Sequence, residues 1–289
     1  AAAWVHNQQL KLLPCTYYLA TFTVPRELRL LARQNQRVVY KALFDCSAES
    51  LRELMSDKRF TGCGASGFFS VLHTWTEALH YHPHVHVVIP GGGLSEARNS
   101  WVSPRGKCLV HVKPLYRLFR GKMKAALPRA GILDQVSENV WRKDWVLHCK
   151  RVGDGRHIMK YLGAYVFRVA LSDARIQSYD GTRVTIRSKK TGGKGRRRTF
   201  TLDVLEFIRR YLQHVLPAGF MKIRHYGFLS PNFSMSLEKI REMISELYEV
   251  IRKILPDSPA QKKIKRLCCP RCRSVMKWLR FIPPPGYCP

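Results

Sequence analysis

The run His82-Pro83-His84-Val85-His86-Val87-Val88-Ile89-Pro90 constrains the fold more than any other part of this chain. Imidazoles stand at every second position, ahead of an apolar stretch and the glycines Gly91, Gly92 and Gly93. Side chains at i and i+2 share one face of a β-strand. A strand here sets His84 and His86 on one face and turns Val85 into an apolar core on the other. The chain must therefore build a sheet with one buried face and one face that carries chemistry. Two neutral imidazoles side by side, next to a glycine loop expected to be flexible, make half of a metal site. The competing reading is a polar strand face with solvated histidines.

The neighbouring sequence supplies partners for this strand. Phe68 to Trp75 is rich in aromatic and β-branched residues, and only six residues separate the two runs, which favours an antiparallel hairpin. A turn centred between residues 79 and 80 sets His73 opposite His86 on the same face, a third imidazole within reach of one ion. A bulge would shift that register by one and spoil it. Thr16–Val24 reads as another strand, and Pro25 opens a helix after it. Short helices are expected over 36–45 and 48–57, and a basic amphipathic helix over 114–127. A second hairpin is expected to join Trp101-Val102-Ser103 to Cys108-Leu109-Val110. A short strand at 145–148 precedes a helix that Asp154 caps and that runs to about 169. A hairpin over 175–187 turns at Asp180-Gly181. Helices at 203–215 and 234–255 bracket a strand at 220–226. The fold class is α+β.

Charge narrows the class of partner. Fifty Lys and Arg stand against twenty Asp and Glu in 289 residues, a formal net charge of +30. A compact body with that charge repels itself unless a polyanion is near, and nucleic acid is the expected partner. With 45% hydrophobic residues the chain can bury a core, which excludes disorder. The loop from Ser188 to Arg198 carries Lys189, Lys190, Lys194, Arg196, Arg197 and Arg198 and suits phosphates. Tyr116, Phe119, Tyr211 and Tyr226 are interleaved with basic residues and are expected to stack bases. No secretory apolar segment opens the chain and no 18-residue apolar stretch occurs, so an intracellular protein off the membrane is expected. The nine cysteines are scattered and do not read as a disulfide framework. Cys269-Pro270-Arg271-Cys272, followed by Cys288, reads as a truncated zinc ribbon holding a structural Zn2+, or as free thiols in a tail. The chain begins Ala1-Ala2-Ala3-Trp4 without an initiator Met and is expected to be part of a longer protein.

Tyr161 and Tyr165 are four apart in the helix that follows Asp154, so they share a face. Gly163 and Ala164 are small and leave room for close approach, while Lys160 and Arg168 flank the tyrosines with positive charge. A phenol with a free pKa near 10 is a poor nucleophile at neutral pH, and nearby cations and a metal are what would activate it on a phosphate. Two tyrosines in a helix core are the alternative.

Taken together, His84-Val85-His86 resembles the histidine–hydrophobic–histidine signature of the HUH single-strand endonucleases. Tyr161-Leu162-Gly163-Ala164-Tyr165 resembles the nucleophile pair of their two-tyrosine rolling-circle transposases, the insertion-sequence ninety-one group. The surroundings are similar too: Leu72-His73-Thr74-Trp75, Phe167-Arg168-Val169-Ala170-Leu171-Ser172, and the segment from Glu206 to Pro217. The likeness spans roughly residues 15–230. It implies an HUH-type central antiparallel sheet with packed helices, expected over 1–230; beyond it the residues themselves read as a helical segment over 231–260 and a basic, Cys-containing tail over 261–289. It also implies a reaction in which a tyrosine attacks single-stranded DNA at mobile-element ends and target site, leaving a 5′-phosphotyrosine and a free 3′-OH. Mg2+ or Mn2+ would be held by His84 and His86 with a third polar ligand, for which the hairpin register suggests His73. Tyr161 and Tyr165 would be the nucleophiles, no nucleotide cofactor would be needed, and the work would be done in the bacterial cytoplasm at the nucleoid. Full-length members carry an N-terminal zinc-binding segment that this chain is expected to lack, and Ala164 stands where a basic residue is common. Two other readings stay open: a rolling-circle plasmid replication initiator, and a non-catalytic basic DNA-binding remnant of a mobile element. Relaxases of the superfamily place the tyrosine before the histidines, whereas Tyr161 follows His86.

Overall fold

Alternating apolar residues bring the expected strands into one sheet. The computed structural model describes residues 2–106, 108–129, 132, 134, 136–166, 170–188 and 198–254. Helix α1 (Ala2–Leu10) leads to strand β1 (Tyr17–Thr23), and helices α2 (Arg29–Gln34) and α3 (Gln36–Ser56) follow. Strands β2 (Gly67–Trp75) and β3 (Tyr81–Pro90) form the central hairpin, and β4 (Gly93–Leu94) and β5 (Trp101–Val102) a small ribbon after it. Helices α4 (Val112–Arg129) and α5 (Glu138–Arg142) precede strand β6 (Leu147–Arg151) and helix α6 (Arg156–Val166). Strands β7 (Ile176–Tyr179), β8 (Arg183–Arg187) and β9 (Thr199–Asp203) make a second sheet, followed by helix α7 (Val204–Leu212), strand β10 (Ile223–Gly227) and helix α8 (Leu237–Ile254). The chain divides into two compact units, Ala1–Ser245 and Glu246–Pro289. The second is described only over the last turns of α8.

The main sheet has the order β10-β2-β3-β1-β6, and every neighbouring pair is antiparallel. One face sends Ala20 and Phe22 of β1, Val85, Val87 and Ile89 of β3, and Phe68 and Leu72 of β2 into the core formed with α3 and α4. Phe22 meets Phe119 of α4 edge-on, with ring centroids 4.9 Å apart. The other face carries Thr21, His73, His84 and His86, and α1 and α6 pack on that side, where Trp4 meets Phe69 edge-on. The α+β reading, the central antiparallel sheet and the helical C-terminal region therefore stand.

Several local expectations differ from the structure. Residues 36–56 form one helix, because Ser47 and Ser50 do not break it; their hydroxyls donate back to Phe44 O at 2.9 Å and Cys46 O at 2.7 Å. Trp101-Val102 pairs with Gly93-Leu94 and not with Cys108–Val110, whose Leu109 and Val110 are core residues outside any strand. The glycines Gly91–Gly93 are buried and tightly held: Gly91 N donates to Thr16 O at 2.6 Å, and a Cβ on Gly93 would stand 2.6 Å from Cys63 Sγ. They are not a flexible loop beside the histidines, since five residues of extended strand set Gly91 about 16 Å from His86. Residues 199–203 form β9, which completes the second sheet before α7 begins, with Asp203 Oδ1 accepting from Leu205 N at 2.9 Å. Cys15, Cys46, Cys63, Cys108 and Cys149 are free thiols. Cys269, Cys272 and Cys288 of the expected zinc ribbon lie outside the described residues.

Candidate functional site

Three imidazoles meet on the open face of the central hairpin. The ring of His73 lies 5.3 Å from that of His84 and 4.6 Å from that of His86, and His84 and His86 are 4.8 Å apart. One nitrogen from each lies within 4.8 Å of the others, and no other such group of His, Cys, Asp or Glu occurs among the described residues.

The register that brings His73 there is not the expected one. At the turn Trp75 pairs with Tyr81, but after an irregularity His73 pairs with His84 and Val71 with His86. Continued without the extra residue, the Trp75–Tyr81 register would set His73 opposite Pro83 and aim it into the core. The bulge, with His82 and Pro83 of β3 facing the single residue Thr74 of β2, reverses this and brings His73 to the imidazole face. A bulge was expected to spoil the cluster; it makes it.

Side chains from outside the hairpin hold Thr74, opposite the bulge, and the turn. His214 is only 2% exposed; its Nε2 donates to Leu79 O at 3.1 Å, so its Nδ1 accepts from the Thr74 hydroxyl at 3.2 Å. Arg210 donates to Ala78 O at 3.1 Å and Arg175 to Glu77 O at 2.7 Å. Three successive turn carbonyls are thus each taken by a side chain, and Leu79 is held at a φ of 60°.

Hydrogen bonds also fix which nitrogen each imidazole offers. His84 Nδ1 donates to His82 O at 2.7 Å, since a carbonyl can only accept, and this leaves His84 Nε2 with its lone pair. His86 Nδ1 is 3.0 Å from the hydroxyl of Thr21, its direct cross-strand partner on β1. That contact orients the ring with Nε2 toward the cluster, as second ligands' partners commonly do. Burial is the main force on both groups. It pulls His84 down to about 4, with the charges of His82 and Arg29 adding and the bond to the His82 carbonyl opposing. It pulls His86 down to about 3, with the charge of His84 adding. Both imidazoles are therefore neutral at physiological pH, the form that ligates metal.

The donor set fits a divalent ion. Three imidazoles alone favour zinc-like cations, whereas Mg2+ and Mn2+ prefer oxygen and would need water or phosphate oxygens to complete their shells.

Helix α6 crosses this face. Asp154 Oδ1 accepts from Arg156 N at 3.1 Å at its start, as expected. The ring of Tyr161 is 45% exposed and stands edge-on to His86, with centroids 6.2 Å apart. Tyr165 lies one turn further along the same helix; its side chain is outside the described residues. The space at Gly163 is taken by α1, because a Cβ there would collide with Val5 Cγ2. The small residue serves helix packing, not approach of a ligand.

Of the expected DNA contacts, Lys160 is exposed beside Tyr161. Arg198 is exposed at the mouth of the β8–β9 hairpin, where its amide donates to Ser188 Oγ at 2.9 Å. Arg168, Lys189, Lys190, Lys194, Arg196 and Arg197 lie outside the described residues. Two of the expected stacking rings are core: Phe119 is buried between Phe22 and Trp145, and Tyr116 is buried with its hydroxyl donating to Asp144 at 2.6 Å. Tyr226 is half-buried against Phe68 and Tyr211 half-buried beside Phe207. Thr21 and His214 were missed. Thr21 needed the β1–β3 pairing to be known, and His214 a contact across 140 residues.

These features define a protein that sets an imidazole cluster against a tyrosine-bearing helix. Residues 67–236, more than half of the chain, match the family Y2_Tnp, described as "Putative transposase", and the chain belongs to that family. It is similar to "Putative transposase y4qJ" of Sinorhizobium fredii (strain NBRC 101917 / NGR234), at 35% identity over 263 residues and 84% of this chain. It is also similar to "Transposase for insertion sequence element IS801" of Pseudomonas savastanoi pv. phaseolicola, at 29% identity over 251 residues and 78% of this chain. The chain spans 66% of the first relative's length and 57% of the second's. No solved structure matches it. No helix among the described residues is long and apolar enough to cross a membrane.

Proposed function

We propose that this chain is an HUH-type nuclease body that nicks single-stranded DNA and transfers strands in rolling-circle transposition. The observation that carries the reading is Tyr161 standing edge-on to His86 over the three-imidazole cluster. In the proposed step the Tyr161 hydroxyl oxygen attacks a DNA phosphorus. The phosphorus–O3′ bond breaks, the phenolic proton passes to solvent, and the 3′ oxygen takes a proton to leave as a free 3′-OH. The product is a 5′-phosphotyrosine that conserves the phosphodiester energy, so no nucleotide cofactor enters. His73, His84 and His86 would hold the divalent ion, Mg2+ or Mn2+ in the resemblance, which when bound supplies positive charge against the phosphate oxygens. Neutral His84 and His86, oriented by His82 O and Thr21, keep the cluster ready without proton loss. Tyr165, about 6 Å along the helix by axial rise, is assigned the second cleavage or transfer. Exposed Lys160 and Arg198 bind the DNA backbone together with the basic segment 189–197. DNA at mobile-element ends and a target site is the substrate, and the bacterial cytoplasm is the place of action.

The test is covalent adduct formation on single-stranded oligonucleotides with Mn2+, mapped by mass spectrometry. Adduct on Tyr161 or Tyr165, lost in the double Tyr→Phe variant, is the expected result. An adduct that persists in the double variant places the nucleophile elsewhere. A chain that binds single strands but forms no adduct favours the DNA-binding remnant.

A further inference from the structure

Arg29 opens α2 just after β1, and His82 stands at the outer end of the histidine row. The His82 and His84 ring centroids are 5.2 Å apart, so His82 extends the cluster by one imidazole. Val24 N donates to Pro83 O at 3.1 Å, which ties the end of β1 to β3 beside His82. Arg29 Nε and His82 Nδ1 are both buried, and neither has a hydrogen-bond partner among the described residues. Buried polar nitrogens are nearly always partnered, so two in one corner call for an acceptor. The charge of Arg29 reaches both His82 and His84, and Arg29 itself feels the charge of Arg26 and, in the opposite sense, that of Glu27. Glu27 accepts no hydrogen bond from Arg29 Nε and pairs with Lys143 at 2.5 Å, while Glu206 pairs with Arg209 at 2.6 Å and Arg210 at 2.7 Å. The corner holds two arginines and the one carboxylate of Glu27, which Lys143 also pairs, and it abuts the imidazole cluster.

We propose that Arg29 and His82 form a binding site for one phosphate of the single-stranded DNA backbone, next to the His73–His84–His86 cluster. The proposal rests on the reading of this chain as a protein that acts on single-stranded DNA. A guanidinium presents planar donors that match phosphate oxygens, and Arg29 Nε–H is one of them. His82 Nδ1–H, in the corresponding tautomer, donates to the same anion. A phosphate held here would be a neighbour of the one at the cluster. Arg29 and His82 would thus be positioning residues that set which linkage faces Tyr161.

The experiment is fluorescence anisotropy of a homothymidine oligonucleotide on the full chain, in EDTA so that neither metal nor cleavage contributes. Wild type is compared with Arg29→Met, His82→Gln and the control Arg59→Met, whose side chain is exposed and paired with Asp57. The slope of log affinity against log salt is expected to fall by about 0.7 in Arg29→Met, one phosphate contact on a single strand. Affinity should drop about tenfold in Arg29→Met, several-fold in His82→Gln with the slope kept, and not at all in the control. If Arg29→Met fails to fold by its melting curve, Arg29→Lys replaces it and should lose affinity with the slope unchanged. Wild-type affinity and slope in both the Arg29 and His82 variants would overturn the proposal. Inorganic phosphate binding as tightly as the oligonucleotide would overturn the assignment to DNA. Because cleavage is not read, failure to form a tyrosyl adduct with Arg29-dependent binding intact would strike only the nuclease reading.

Discussion

His214→Leu tests whether the bulge, and not merely the histidine spacing, builds the imidazole cluster. Leucine keeps most of the apolar packing against Trp75 and Tyr81, whose rings lie 5.9 Å and 6.3 Å from that of His214. It removes the acceptor for the Thr74 hydroxyl and the donor to Leu79 O. Two buried polar groups left unsatisfied cost about 1–3 kcal/mol each, or about 2–6 kcal/mol together. That is a large part of the roughly 5–15 kcal/mol that holds a domain of this kind. At about 2–4 °C per kcal/mol for a chain of this size, the melting temperature should fall by about 10 °C. The cluster should suffer too, because a hairpin free to run on in the Trp75–Tyr81 register points His73 into the core. Support residues of metal ligands typically carry about 10–100-fold in metal affinity, and the same loss is expected here in a calorimetric titration with Mn2+ or Zn2+. Thr74→Val should share the metal defect in smaller degree, and His214→Gln, which can still donate to Leu79 O, should recover part of it. If His214→Leu melts lower but binds metal as the wild type does, His214 is a core staple and the register argument is wrong.

Other outcomes follow from the same geometry. The His84→Ala, His86→Ala double variant should lose nicking while keeping most single-strand affinity, which comes from Lys and Arg; full cleavage in that variant would remove the metal role. Buried His84 and His86 have folded values near 4 and 3 against an unfolded 6.5, so the unfolded chain binds more protons between them. Stability should therefore be complete above about pH 6.5 and fall by up to about 1.4 kcal/mol per pH unit for each group as the solution is acidified toward pH 4; a melting temperature flat from about pH 7 to 5 would contradict this. Gly163→Leu should separate α1 from α6, since its side chain has no room beside Val5, and should lower melting temperature and adduct yield together; an unchanged melting curve would deny that contact.

The alternation of residues 82–90 and the apolar runs at 17–23 and 67–75 made the central antiparallel strands and their chemical face legible in the sequence alone. Period-two patterning binds each residue to a face whatever the strand pairs with, so His84, His86 and Val85 were decided locally. The four-residue spacing of Tyr161 and Tyr165 and the cap at Asp154 placed the tyrosine helix in the same way. Tertiary structure decided what local pattern cannot carry. His73 reaches the cluster through one extra residue on β3 at His82–Pro83, and the β2 residue that faces it, Thr74, is held by His214, 140 positions away. Thr21 meets His86 only because β1 lies beside β3. Tyr116 and Phe119 looked like rings for DNA, but on the core side of an amphipathic helix their apolar area is removed from water against Phe22 and Asp144 takes the one hydroxyl. A strand's faces are set by its own residues; its register and its neighbours are set by contacts that exist only once the whole sheet has closed.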